Sequence, residues 1–201
     1  IYVTRAKREV FGDVGIEGMI AGPSEITVVA DRKTRIQEVT TSILGQAEHD
    51  INSQCILISK DKNIIKKFIK DLEFKLKSLP RQIIANKSLK KNGLILQAKN
   101  DSQIIELINE IAPEHLELNI DNYKKYLKKI INAGSICLGK NSAMAVSDYS
   151  VGTNHVLPTM GSAKFSSGLG LSDFYKKISY ITLSKKGVEK IGEYATQLAL
   201  Y

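Results

Sequence analysis

The chain is expected to fold as an α/β protein. The reading is a Rossmann-like, mostly parallel sheet with flanking helices, incomplete by itself, plus a C-terminal helical tail. Three observations lead there. Short β-branched runs alternate with longer runs of helical period. The strand candidates Glu25–Ala30 (EITVVA), Gln54–Ser59 (QCILIS) and Ser135–Leu138 (SICL) are largely apolar throughout, as strands covered on both faces are. With 43% hydrophobic residues, 201 residues suffice for a buried core.

Taken in order, Tyr2 to Phe11 is charged and loosely helical, and Gly12, Gly15 and Gly18 break any continuation of that helix. Gly22-Pro23-Ser24 is a turn signal before the strand at Glu25–Ala30. Thr34 with Gln37 three residues later fits a capping box. The helix it would open carries Ile36, Val39, Ile43 and Ala47 on one face and ends near His49. Gln54–Ser59 is the next strand. Lys62 to Leu79 has Ile64, Phe68, Leu72 and Leu76 at helical spacing and is stopped by Pro80. Gly93–Gln97 is a third strand. Asn100 with Gln103 is a second capping-box candidate, opening a helix through Ile111.

Ala112-Pro113-Glu114-His115 breaks that helix, and His115 to Leu118 alternates like a short strand. Asp121 to Ile131 reads as a lysine-rich helix ended by Ala133-Gly134, ahead of the strand at Ser135–Leu138. From Gly139 to Gly170 the composition shifts to Gly, Ser, Thr and Asn, and long irregular stretches of this kind are functional or disordered. Leu171 to Tyr201 returns to helical patterning after the short run Ile178–Leu183. Ligands of such sheets bind beyond the carboxyl ends of the strands. The segments Gln46–His49, Pro113–His115 and Gly139–Gly161 are expected to gather there.

The charge is +8, from 29 basic and 21 acidic residues. The lysines interleave with apolar residues at helical spacing, which makes them solvated helix faces and not one basic stripe. With 6% aromatics there is little to stack on bases, so nucleic acid is not an expected partner. Cys55 and Cys137 each lie inside an apolar run and no CxxC exists. The reading is of buried free thiols in a reducing, cytoplasmic compartment. No apolar stretch has membrane-spanning length, so no membrane partner is expected. The chain begins at Ile1 and ends inside a helical pattern, which reads as a piece of a longer protein.

Gln46 and His49 lie three apart, so on a helix they share a face. An amide oxygen and an imidazole there could point at one metal ion, but zinc wants three or four ligands. Asp148 is a hard anionic donor of the kind that completes such a site. The same Asp148 could instead bond its own backbone in a turn. Glu114 and His115 come directly after Pro113 and could act as two proton acceptors on one substrate, or form a solvated loop. His155 could stand behind the metal ligands or be structural. Gln, His and Asp also suit manganese or cobalt. No GxGxxG comes after a strand, so no cofactor-binding residues can be assigned.

Four motifs occur in order: Ala21-Gly-Pro-Ser-Glu25, Gln46-Ala-Glu-His49, Pro113-Glu-His115 and Asp148-Tyr-Ser-Val-Gly-Thr-Asn-His-Val-Leu-Pro-Thr159. Together they resemble the histidinol dehydrogenases, across essentially the whole chain. The resemblance implies NAD-dependent, two-step oxidation of L-histidinol to L-histidine via histidinal, in histidine biosynthesis. It implies Gln46, His49 and Asp148 as zinc ligands. It implies His115 as the base that takes the alcohol proton and Glu114 as the residue that activates water. Ser24, Gln46, His49, His115 and Asp148 then contact the substrate.

The same resemblance divides the chain into residues 1–23, the end of an NAD-side domain; 24–169, the zinc and substrate domain; and 170–201, the start of a helical dimerisation tail. The family's NAD contacts would precede Ile1. Its remaining zinc histidine and a substrate glutamate would come after Tyr201, in a tail that reaches the partner of a homodimer. The chain by itself is therefore expected to be inactive and to bind zinc weakly or not at all. The competing reading is a non-catalytic α/β scaffold or binding module that retains these residues.

Overall fold

The computed structural model describes residues 2–16 and 22–201, so Gly18 and Ala21 of the motifs above lie outside the described residues. Its elements run α1 (Tyr2–Glu9), β1 (Glu25–Ala30), α2 (Ile36–Ala47), β2 (Gln54–Ser59), α3 (Lys62–Leu76), α4 (Gln82–Asn92), β3 (Gly93–Gln97), α5 (Asp101–Ile111), β4 (His115–Asn119), α6 (Lys124–Leu127), β5 (Ser135–Leu138), α7 (Met144–Ser150) and α8 (Lys185–Leu200). The five strands make one sheet in the order β3-β2-β1-β4-β5, with every pairing parallel. The chain order reverses between β1 and β4, the switch point of a doubly wound fold.

The core explains why these runs became strands. Ile26, Val28 and Ala30 of β1 pack with Val39 and Ile43 of α2 and Ile64 and Phe68 of α3. Val29 faces the other way, with Ile56, Ile58, Ile104, Ile108, Leu116 and Leu118. Each such fully buried aliphatic contributes roughly 1.5–3 kcal/mol. β4 differs from β1 in one respect. Leu116 and Leu118 enter the second core, whereas His115, Glu117 and Asn119 alternate with them and lie buried on the opposite face. That polar stripe in a central strand is where the fold departs from simple burial.

Several expectations need correction. Thr34 does not cap α2: its hydroxyl accepts the Asp31 N–H and donates to the Asn119 carbonyl, and Arg35 precedes the helix without a side-chain cap. Asn100 does cap α5, accepting the Gln103 N–H at 2.9 Å, but Gln103 answers the Lys99 N–H and so closes no capping box. The Asp121–Ile131 helix shrinks to the single turn of α6, where only Tyr126 is buried. Gly139–Gly170 contains the short helix α7.

Not all apolar surface is covered. Leu94 and Ile95 on the edge strand β3 are exposed, as are Phe174, Ile181 and, on α8, Val188, Ile191 and Leu198. No helix of the described residues is long and apolar enough to cross a membrane.

The turn from α5 into β4 is tightly built. Ala112 ends the helix in the left-handed region (φ 49°, ψ 59°), with its N–H on the Ile108 carbonyl. Pro113 comes next, and the Pro113 and Glu114 carbonyls accept the N–H groups of Gly134 and Ser135 at 2.9 and 2.8 Å. A Cβ on Gly134 would lie 2.6 Å from the Glu114 carbonyl oxygen and 3.2 Å from Pro158 Cδ. Backbone on one side leaves little room to relax. Gly134→Ala is therefore expected to destabilise the fold by about 1–3 kcal/mol, read as a lower urea midpoint. An unchanged midpoint would contradict this account of the turn.

Candidate functional site

A helix placed after a parallel strand runs back along the sheet, so its C-terminal end arrives at the amino edge. The end of α2, with Gln46 and His49, and the α5–β4 turn, with Glu114 and His115, both lie there. Ser24 joins them, its carbonyl accepting the Gln54 N–H at the start of β2. The expectation that these segments gather at the carboxyl ends is thus reversed by topology. Gly139–Gly161 leaves β5 at the carboxyl edge and returns through α7, which carries Asp148 down to His115. The carboxyl edge has a cleft of about 620 Å³ lined by Asp31, Lys33, Lys60, Asp61 and Asp121, and none of the described motif residues line it.

Three of the motif side chains meet. His115 Nε2 lies 3.6 Å from Glu114 Oε1 and 3.6 Å from Asp148 Oδ2. These distances exceed a hydrogen bond, so the groups act on each other through charge. His115 is only 4% exposed, and its Nδ1 is buried without a protein partner. Burial lowers its pKa, while the Asp148 carboxylate pulls the other way. The imidazole is therefore neutral near pH 7 and able to take a proton. Glu114 Oε2 accepts the Glu25 N–H at 2.8 Å. Burial nevertheless raises its pKa to about 8, opposed by that hydrogen bond and assisted by the charges of Glu25 and Asp148. A base that titrates close to the working pH is well matched to proton transfer.

The remaining motif residues are not all drawn in. Ser24 and His49 line an amino-edge cleft of about 770 Å³ with Thr4, Arg8, Asn52 and Met160. Glu114, His115, Asp148 and Gln46 do not line that cleft. Gln46 is buried on α2 at 2% exposure, His49 is exposed just beyond the helix, and His155 is exposed. Among the described residues, no three His, Cys, Asp or Glu side chains form a metal-binding group. The donor chemistry of Gln46, His49 and Asp148 still suits a divalent ion, as an open set that needs a further ligand.

Two buried carboxylates went unread in the sequence. Glu25 opens β1 with 7% exposure, its Oε1 accepting the Met160 N–H at 3.1 Å and its Oε2 unpartnered among the described residues. Burial raises its pKa. Met160 itself is held at φ 55°, and neighbouring Thr159 accepts the Gly22 N–H. Glu117, at 2% exposure, accepts the Met144 N–H at 2.7 Å. Its signal was present as a carboxylate between two leucines of a buried strand.

A parallel α/β unit with a neutral histidine between two carboxylates is equipped for proton transfer, and comparison with known proteins assigns it to an oxidoreductase family. The family model described as Histidinol dehydrogenase matches residues 1–201. Histidinol dehydrogenase from Pelagibacter ubique is 58% identical over 200 residues, covering 100% of the chain and 47% of the relative. That from Hydrogenovibrio crunogenus is 48% identical over 199 residues, with 99% and 46% covered. A crystal structure of histidinol dehydrogenase from Elizabethkingia anophelis superimposes with a TM-score of 0.91 at 41% identity, covering 98% of the chain and 46% of that structure. The chain belongs to the histidinol dehydrogenase family, and it spans about half the length of the curated relatives it matches.

The Glu114 shift has a signed consequence. A carboxyl with a folded pKa raised above its unfolded value destabilises the fold increasingly as pH climbs between the two. Glu114→Gln removes that penalty. Its stability gain over the unsubstituted chain is expected to be small at pH 4.5, to grow toward pH 8 and then to level off, reaching at most about 5 kcal/mol. Urea unfolding from pH 4 to 9 measures it, and an offset independent of pH would contradict the assignment.

Proposed function

We propose that this protein is the part of a histidinol dehydrogenase that carries its zinc and substrate residues, in a zinc-dependent, NAD-linked oxidation of L-histidinol to L-histidine via histidinal. The single observation that supports it most is the meeting of Glu114 and His115 with Asp148 in one place, from two segments far apart in the chain. His115, neutral and buried, takes the alcohol proton as hydride departs from the carbinol carbon. Glu114 takes a proton from water as it adds to the aldehyde, ahead of the second hydride transfer. Ser24, His49 and Gln46 orient the substrate with Asp148. Zinc, when bound through Gln46, His49, Asp148 and a donor outside them, would hold the substrate's imidazole and amine. NAD, when bound, would supply the hydride acceptor for both oxidations, and residues 1–23 would be the end of the domain that holds it.

The enzyme works as a cytoplasmic homodimer. The exposed apolar face of residues 170–201 supports a role for this segment as a dimerisation tail around a shared active site.

Histidinol-dependent NADH formation tests the reading, measured with zinc on an intact-length protein containing this sequence and on the chain alone. The intact protein is expected to turn over, and His115→Asn to lower kcat about 10²–10⁴-fold. The chain alone is expected to be silent. Full activity of His115→Asn would overturn the assigned base. An inactive intact protein would favour a non-catalytic scaffold that retains the family residues.

A further inference from the structure

Glu117 has no part in the reaction above, yet it is bonded to the start of α7 and shares a cleft with α2. Its carboxylate accepts the Met144 N–H at 2.7 Å at the first turn of α7 and lines one cleft with Ser42 of α2. α7 has no side-chain cap from the residue before it, Ala143. Glu117 supplies the missing acceptor from another strand, and its charge suits a helix N-terminus.

The spacing beyond these contacts is the informative part. Asp148 lies four residues after Met144 on α7, and Gln46 lies four residues after Ser42 on α2. Four residues advance a helix by about 6 Å. His115 lies two residues before Glu117 on the same face of β4, a step of about 6.7 Å. Both helices run toward the amino edge, and stepping back along β4 leads the same way. One turn of α7 and one strand repeat of β4 from Glu117 therefore arrive at Asp148 and His115, which stand 3.6 Å apart.

We propose that Glu117 is a positioning residue: by tying the start of α7 to β4, it fixes the level at which Asp148 stands beside His115. The consequence for metal rests on the function proposed above; the seating of α7 does not. Glu117→Gln keeps an acceptor oxygen and is expected to behave like the parent. Glu117→Leu removes the acceptor while filling the space. Met144→Pro removes the donor from the other side, at a first helical position that tolerates proline and after a residue already extended (Ala143 φ −87°, ψ 147°).

Hydrogen exchange on the chain reads the seat directly. The α7 amides are expected to exchange at least tenfold faster in Glu117→Leu and in Met144→Pro, with β1 and β2 amides still protected and with Glu117→Gln at the parent rate. Parent-like α7 exchange in both disrupting variants would overturn the proposal. Should Glu117→Leu fail to fold, Met144→Pro decides by the same readout. Cobalt titration of the intact-length protein adds the metal arm, with affinity expected to fall about 10–100-fold in Glu117→Leu and to be kept in Glu117→Gln. Loosened α7 with unchanged cobalt affinity upholds the seat and overturns Asp148 as a ligand.

Discussion

The site depends on one hydrogen bond at the switch point of the sheet. β4 pairs with β1 from Ile26 and His115 onward. Glu25 stands one residue before that register begins, and its N–H is taken by the Glu114 carboxylate. This bond fixes a side chain that Pro113 and the left-handed Ala112 have already turned inward. It also places His115 as the first residue of a buried strand, where its ring cannot reach bulk water. The same strand direction that puts Leu116 and Leu118 into one core turns His115 and Glu117 to the other side.

Burying acid groups in a parallel sheet has a thermodynamic consequence. Glu25, Glu114 and Glu117 are all held with pKa values raised, in each case chiefly by burial. Each weakens the fold at neutral pH unless its oxygens are bonded. Each therefore accepts a backbone N–H: Glu25 takes Met160, Glu114 takes Glu25, and Glu117 takes Met144. The bonds form a chain of acidic anchors that joins β1, β4, α7 and the turn at Met160. Function and stability are opposed here, and the backbone amides moderate the conflict.

All five strands were legible, β4 from its alternation of polar and apolar residues and the others from short apolar runs bounded by turns. α4 was not, since only Ala85 and Ser88 of its eleven residues are buried and no apolar stripe announces it. Thr34 mimicked a cap because sequence spacing cannot say that a distant carbonyl, that of Asn119, will claim its hydroxyl. Gln46, His49, Glu114, His115 and Asp148 could be named from motifs. Their edge of the sheet could not, until the return direction of α2, α5 and α7 was known. Glu25 and Glu117 stayed hidden for the same reason, because what satisfies them comes from residues 144 and 160, far along the chain.

His115 is a neutral, buried base beside the Asp148 carboxylate. NMR titration of the His115 ring tests it most directly. Its pKa is expected below the ordinary value near 6.5, falling further in Asp148→Asn as the stabilising charge is lost. A His115 pKa at or above the ordinary value, unmoved by Asp148→Asn, would contradict it.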